Sequence, residues 1–269
     1  MAATSASSNK AKIARRVIEV LEYFDDSHRE ATVMDIVRRY DRPQSSTSEL
    51  LSSLVELGLL YKDPYSRSYS LTPRAALLGA TGQRGMVRDG RLVALTDRLA
   101  AQTGLSVALF GMVGLNSQIV TWRGGLRGSA AATRGLAGGL QEPLCDSASG
   151  WLLLSTVAKA RCDGVVRRLN AEAADHRKFS AAEMTARIDL CREAGHVVGA
   201  AGFGSPGMVV ATLLPTETPD RPLAVGLVYG SEDRVQADTL LECMNDAIRQ
   251  ALRPEEQATP NVKLVSSAA

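Results

Sequence analysis

Between residues 32 and 72 the chain sets two capped apolar helices, a proline turn and a short hairpin in an order that specifies a winged helix-turn-helix. Val33, Ile36, Val37 and Tyr40 recur at helical spacing on one face. Thr32 followed by Asp35 supplies a cap and a carboxylate, a weaker form of the capping box. The turn Asp41-Arg42-Pro43 ends this helix, because proline has no N–H and restricts the residue before it. A second helix is predicted to begin within residues 43–46 and to carry Leu50, Leu51, Leu54, Val55 and Leu57. Ser46 and Glu49 have capping-box spacing, and Gly58 offers a left-handed stop. Residues 59–62, a turn over 63–67 and residues 68–71 then read as the hairpin, or wing.

The first turn of the second helix, with Gln44, Ser45, Ser46, Thr47 and Ser48, is polar and short-chained, while its later turns are apolar. A recognition helix needs that division, its N-terminal residues at base edges and the rest packed on the first helix. Arg38, Arg39 and Arg42 precede it, and Lys62 and Arg67 lie in the wing. These five are the candidate phosphate contacts, which set register and carry the salt-dependent affinity. The competing reading is a structural three-helix domain with a solvated basic face; the full order of elements weighs against it. Residues 1–75 hold eleven Lys and Arg against ten Asp and Glu, a net of +1. A strong nucleic-acid domain is usually more basic, and no Arg or Lys stands in the recognition turn to read guanine. One copy therefore binds weakly, and a homodimer or homotetramer on double-stranded operator DNA is expected.

The chain resembles the IclR family of bacterial transcriptional regulators over roughly residues 11–252. The resemblance rests on Arg15-Arg16-Val17-Ile18-Glu19-Val20-Leu21, on Ser46-Thr47, on Leu54-Val55-Glu56-Leu57-Gly58-Leu59, and on the wing running into Leu71-Thr72-Pro73-Arg74. It implies an α+β protein: a winged helix-turn-helix joined by a helical linker to a GAF-like effector domain, in a dimer or a dimer of dimers. The corresponding boundaries are a disordered leader over 1–10, the DNA-binding domain over 11–73, a linker over 74–103, the effector domain over 104–253 and a flexible tail over 254–269.

Composition is compatible with this. A length of 269 residues fits two domains of ordinary size, and 45% hydrophobic with 22% charged residues is globular usage. No apolar run approaches the roughly 20 residues of a membrane helix, and residues 1–12 lack the apolar stretch of a secretion signal. The four cysteines, at 145, 162, 191 and 243, form no Cys-x-x-Cys and have no histidine nearby, so no metal site is expected and a reducing cytoplasm is the natural compartment. In the linker, Thr72-Pro73 is a cap followed by proline. Glycines 79, 82, 85 and 90 weaken its first half, and Leu92, Leu95, Leu99 and Ala100 form a helical stripe closed by Gly104.

The C-terminal region reads as mixed strands and helices. Residues 105–113 and 118–123 form a hairpin over a four-residue turn, and a long Gly/Ala-rich loop follows over 124–139. A helix lies near 147–157, and another starts at Ser180 and stops at Gly195. Strands are expected at 197–198, 208–214 and 223–229, and a last helix from about 233 to 252. The string Gly202-Phe203-Gly204-Ser205-Pro206-Gly207 satisfies G-x-G-x-x-G, yet a strand pattern follows it where a dinucleotide fingerprint needs a helix, so it reads as a turn. Cys145-Asp146-Ser147 has no histidine tied to it. Without an acid/base cluster or metal ligands an enzyme ranks last, and no cofactor is implied.

The resemblance also implies an effector loop. The family carries Leu-His-x-Thr/Ser-x-x-Gly-Lys at a loop-to-helix junction, where backbone N–H groups meet the effector's acid group. Here Leu144-Cys145-Asp146-Ser147-Ala148-Ser149-Gly150-Trp151 keeps the Leu, the hydroxyl and the Gly but has Cys145 and Trp151. Polar positions of the family are replaced by Val210, Leu227 and Tyr229. With Phe110 and Trp122 as aromatic walls, these residues suit a small organic effector with an aromatic or largely apolar body. Two alternatives stand beside this: the same side chains are ordinary core, or the C-terminal domain only oligomerises and senses nothing.

Overall fold

The computed structural model describes residues 9–252 except 26, 81, 84 and 216–220. Residues 9 and 10 belong to the first helix; the rest of the expected leader and the tail over 254–269 lie outside the described residues. The chain divides into two compact units between Arg84 and Gly85.

The first unit comprises α1 (Asn9–Tyr23), α2 (Val33–Tyr40), α3 (Gln44–Glu56), the hairpin β1 (Leu60–Lys62) and β2 (Tyr69–Leu71), and α4 (Pro73–Ala80). Thr32 and Asp35 form a full capping box: the Thr32 hydroxyl accepts the Asp35 N–H at 3.3 Å, and the Asp35 carboxylate takes the Thr32 N–H at 2.8 Å. The expected Ser46–Glu49 box does not form. The helix already begins at Gln44, so Ser46 lies inside the first turn and donates its hydroxyl to the Pro43 carbonyl at 3.2 Å. Gly58 takes the left-handed conformation, φ +72°, that stops α3. Ala31 pairs with Tyr69 beside the wing, a bridge no periodicity announces. Val20, Ile36, Leu51, Leu54, Leu60 and Tyr69 form the core.

The second unit is built on one antiparallel sheet. In chain order its elements are α5 (Gly85–Arg88), α6 (Arg91–Thr103), β3 (Ser106–Val113), β4 (Asn116–Arg123), α7 (Ala130–Thr133), β5 (Gln141–Pro143), α8 (Ala148–Ser155), α9 (Lys159–Glu172), α10 (Ala181–Ala194), β6 (His196–Gly202), β7 (Ser205–Leu213), β8 (Leu223–Tyr229) and α11 (Ala237–Leu252). The strands run β5-β4-β3-β8-β7-β6 across the sheet. The β3–β4 turn spans two residues rather than the four expected, with Gly114 at φ +61°, so Asn116 and Ser117 enter β4. Helix α9 carries Cys162, Val166 and Leu169 into the core without a strong apolar stripe. It is absent from the sequence expectations for that reason.

Both sheet faces are covered. Leu92, Leu95 and Leu99 of α6, with Leu240, Leu241, Met244 and Ile248 of α11, pack on Val107, Leu109, Val210, Val225 and Leu227. Helices α8, α9 and α10 pack on Ala108, Phe110, Ile119, Val209, Ala211, Ala224 and Val228. Successive strand residues therefore enter opposite cores.

Helix α8 is buried nearly all round, as a helix apolar on every side must be. It lies so close to the chain before it that a Cβ on Gly150 would stand 2.1 Å from the Leu144 carbonyl oxygen. Backbone cannot yield as a flexible side chain does, so Gly150→Ala is expected to cost at least about 3 kcal/mol and to lower the Tm by roughly 6–12 °C. Gly164→Ala, in α9 with nothing within 4 Å of the new methyl, should instead hold or raise the Tm, since alanine favours helix by about 0.5–1 kcal/mol. Thermal unfolding of the two variants checks the contrast.

Candidate functional site

In the first unit the opening turn of α3 is divided more sharply than its sequence indicates. Gln44 and Ser45 are exposed, Ser46 and Ser48 are half-buried, and Thr47 is 1% exposed with its hydroxyl donated to the Pro43 carbonyl at 2.9 Å. Thr47 thus leaves the set of surface contacts: it tethers the turn from inside. Arg38, Arg39, Lys62 and Arg67 are exposed. Arg42 is exposed too but already engaged, its guanidinium pairing with Glu19 of α1 at 3.2 Å. Arg16, also on α1, donates to the Ser46 hydroxyl at 3.2 Å, and the Tyr40 hydroxyl donates to the Glu19 carbonyl at 2.6 Å. The first helix therefore holds the recognition turn by side chains that the two-helix pattern does not reveal. In the wing, the Asp63 carboxylate accepts the N–H groups of Tyr65 and Ser66 at 2.7 and 3.0 Å. These bonds hold its carboxyl below the usual range, and Arg67 takes φ +57° at the tip.

In the second unit the expected effector residues do not form one site. Phe110 and Trp122 face α8, whereas Val210, Leu227 and Tyr229 face α6 and α11 on the other side of the sheet. Val210 and Leu227 are fully buried plain core, and burial alone raises the Tyr229 phenol above its ordinary pKa. Cys145 lies near Cys162 in the core, and burial pushes its thiol up to about 12. That value removes it as a nucleophile. Burial likewise takes Cys191 to about 11. Trp151 gives its indole N–H to the Cys145 carbonyl at 2.9 Å and its ring to the Arg187 guanidinium at 5.1 Å. Gly150 has its N–H capped by Ser147 Oγ at 3.4 Å. Asp146 pairs with Arg177.

What the α8 face does bring together is a polar corner of a different composition. Ser117 on β4 lies opposite Glu142 on β5. The Ser117 hydroxyl is 3.5 Å from that of Ser149, which is 3.2 Å from that of Ser147, and all three serines are fully buried. Glu142 reaches across to the β6–β7 turn, where the Phe203 N–H donates to its Oε2. Its Oε1 is buried with no hydrogen-bond partner. The turn Gly202-Phe203-Gly204 is left-handed throughout, φ +78°, +54° and +75°. A Cβ on Gly202 would stand 2.1 Å from Glu142 Oε1 and 2.5 Å from Ser147 Cβ. The Phe203 ring stacks beside Phe110 at 6.1 Å between centroids. Since β5 and β6 are the two edges of the sheet, this corner is where the curled sheet closes on itself. The Gly/Ala-rich loop is fastened next to it, with Ser205 donating to the Ala132 carbonyl and Ser129 bonded to Glu232.

Residues 14–64 match the IclR helix-turn-helix domain. The N-terminal domain belongs to the IclR family. No curated protein matches the chain. Solved structures do. An IclR transcriptional regulator from Alicyclobacillus acidocaldarius is 19% identical, with 91% of this chain aligned to 98% of that one at a TM-score of 0.55. The effector domain of an IclR regulator from an Acinetobacter species is 23% identical over 62% of this chain and 96% of its own, TM-score 0.55. An IclR homolog from Microbacterium hydrocarbonoxydans, complexed with 4-hydroxybenzoate, is 18% identical over 89% and 97%, TM-score 0.54. At these identities the likeness is one of fold: an IclR helix-turn-helix followed by a curled antiparallel sheet of the effector-domain type.

Against the IclR junction motif, the residues that match here, Leu144, Ser147 and Gly150, are spent on packing and capping. The residues that gather polar chemistry, Glu142, Ser117, Ser149 and Phe203, are ones the motif does not mark. Glu142 sits on a three-residue strand inside a glycine-rich stretch, too short for alternation to show. Phe203 lies in a string read only as a turn. Desolvation raises the Glu142 carboxyl above its ordinary 4.5, with Asp146 adding to the effect and the Ser147 hydroxyl, the Phe203 N–H and Arg177 opposing it. Ser147 lies close enough to favour the charge without making a bond of hydrogen-bond geometry to Oε1. With the folded pKa above the unfolded one, stability is greatest below the ordinary carboxylate pKa and falls as pH rises through the raised value. Glu142→Gln should therefore raise the Tm at pH 8, and the gain should vanish as the pH falls below 4.5. Paired melting curves across that range test the sign.

Proposed function

We propose that this chain is a ligand-responsive transcriptional regulator that reads double-stranded operator DNA through α3 and the wing, and senses a small organic effector with an aromatic or largely apolar body. The observation that carries the first half is the split within α3: Gln44 and Ser45 exposed at its start, Leu51 and Leu54 buried behind them. Gln44, Ser45, Ser46 and Ser48 read base edges; Arg38, Arg39, Lys62 and Arg67 grip phosphates. Arg42 joins them by exchanging Glu19 for a phosphate. With a net of only +1 over residues 1–75, useful affinity comes from two or four copies acting together. Effector binding shifts the population between arrangements of the paired DNA-binding domains and so changes operator affinity.

The second half is supported by the polar corner beneath Phe110 and Phe203, with Trp122 on the same sheet face. The Microbacterium IclR homolog holding 4-hydroxybenzoate adds weight to an aromatic ligand. Burial of Val210 and Leu227 as plain core favours the second reading, DNA binding with a C-terminal domain that only oligomerises.

Operator binding separates the DNA roles. Gln44→Ala should change base preference. Arg39→Ala should weaken every sequence by a similar factor and lower the slope of log K against log salt by about one; indistinguishable effects from the two variants would refute the division. For sensing, thermal unfolding against aromatic acids, aldehydes and amines should show a concentration-dependent rise in Tm. Phe203→Gly keeps the left-handed backbone and deletes the ring, and it should abolish that rise. A rise that survives it puts the effector elsewhere; no rise with any compound leaves the second reading.

A further inference from the structure

The polar corner also indicates what kind of head group the effector carries. Four groups surround it: the hydroxyls of Ser117, Ser149 and Ser147, and the carboxylate of Glu142. One carboxylate oxygen, Oε2, receives the Phe203 N–H; the other, Oε1, is out of contact with solvent and receives nothing. A buried acceptor without a donor costs about 1–3 kcal/mol, more when charged, and that cost is removed by whatever brings it an N–H or O–H. The Ser147 hydroxyl lies near it and favours the charge, but makes no bond of hydrogen-bond geometry to Oε1. Gly150 N–H is committed to Ser147, and Arg177 is committed to Asp146. The two acids near this corner, Glu142 and Asp146, thus share a single cation, Arg177, which is bonded to Asp146.

We propose that the effector enters this corner with a hydrogen-bond donor, most strongly a protonated amine, directed at Glu142 Oε1, and that it does not present a carboxylate there. The proposal rests on the reading of the second domain as a sensor. The serine hydroxyls accept or donate beside the head group, while Phe110 and Phe203 flank an aromatic body. The way in is the β6–β7 turn. Glu142, Gly202 and Phe203 are half-exposed, so the corner borders solvent there. The Gly202 backbone, however, lies against Oε1 with no room even for a methyl, so the turn must shift outward for a head group to reach that oxygen. A ligand acid would meet a like charge in a desolvated setting, which disfavours it. The α8 N-terminus does not compensate, because Ser147 already caps it.

The test uses three probes with one ring and three heads, benzylamine, benzyl alcohol and benzoate, on the full-length protein, read by thermal shift and by calorimetric titration. Benzylamine is expected to bind at least about tenfold tighter than benzoate, the scale of one charge-assisted hydrogen bond, with benzyl alcohol between them. In Glu142→Gln the benzylamine and benzoate affinities should converge to within about threefold, since the remaining amide oxygen accepts without a charge. The wild-type ratio stands as a measurement whether or not that variant folds. A wild-type preference for benzoate overturns the proposal and leaves the sensor reading intact. So does a benzylamine preference that Glu142→Gln leaves unchanged. No shift with any of the three overturns it as well; a shift with other aromatics then still supports sensing, and none at all removes both.

Discussion

A six-stranded antiparallel sheet with helices on each face turns every strand residue toward one of two sides, and neighbours along a strand toward opposite ones. In this protein that alternation decides which side chains can share a ligand. Val209 and Val210 are adjacent in sequence and separated by the whole thickness of the sheet, the first under α8, the second under α6 and α11. The same holds for Leu227 and Val228. A register argument displaced by one residue thus moves an entire proposed pocket lining from one layer to the other.

That is how the expected effector residues came apart. Val210, Leu227 and Tyr229 stand at polar family positions, a likeness that fixes no face of the sheet, and all three belong to the α6–α11 layer. The elements themselves were legible wherever a long segment kept its period. The stripe Leu92, Leu95, Leu99 and the run Leu240, Leu241, Met244, Ile248 are helices packed as their spacing requires, and β8 has the expected bounds. The elements that periodicity does not announce lack that signal. Helix α9 has three buried residues among charges and an internal Gly164, and β5 has three residues in all. Both are held by packing against other elements, α9 on α10 and β5 on β4.

In the N-terminal domain nearly everything was local, and nearly everything was legible. The caps, the proline turn and Gly58 are decided within a few residues of where they act. What was not visible is the part supplied from a distance. Arg16 and Glu19 sit on α1, about thirty and twenty residues before the groups they hold, Ser46 and Arg42. Their effect is to take Arg42 out of the freely available basic set and to anchor the edge of the recognition turn. Thr47 shows the same lesson at short range. A polar residue in a polar turn reads as surface, but the helix starts early enough to rotate it inward, where its hydroxyl closes on Pro43.

The cysteines carry a last consequence. Cys145, Cys162 and Cys191 stand at the entrance to α8, in α9 and in α10, all in one layer, all buried and all with thiols raised by that burial. None reacts until its own stretch of the layer opens and exposes it to base. The protein therefore contains three native reporters of how its helical cover comes off. The order in which they take up an alkylating reagent would time the opening of that cover, without a label being introduced.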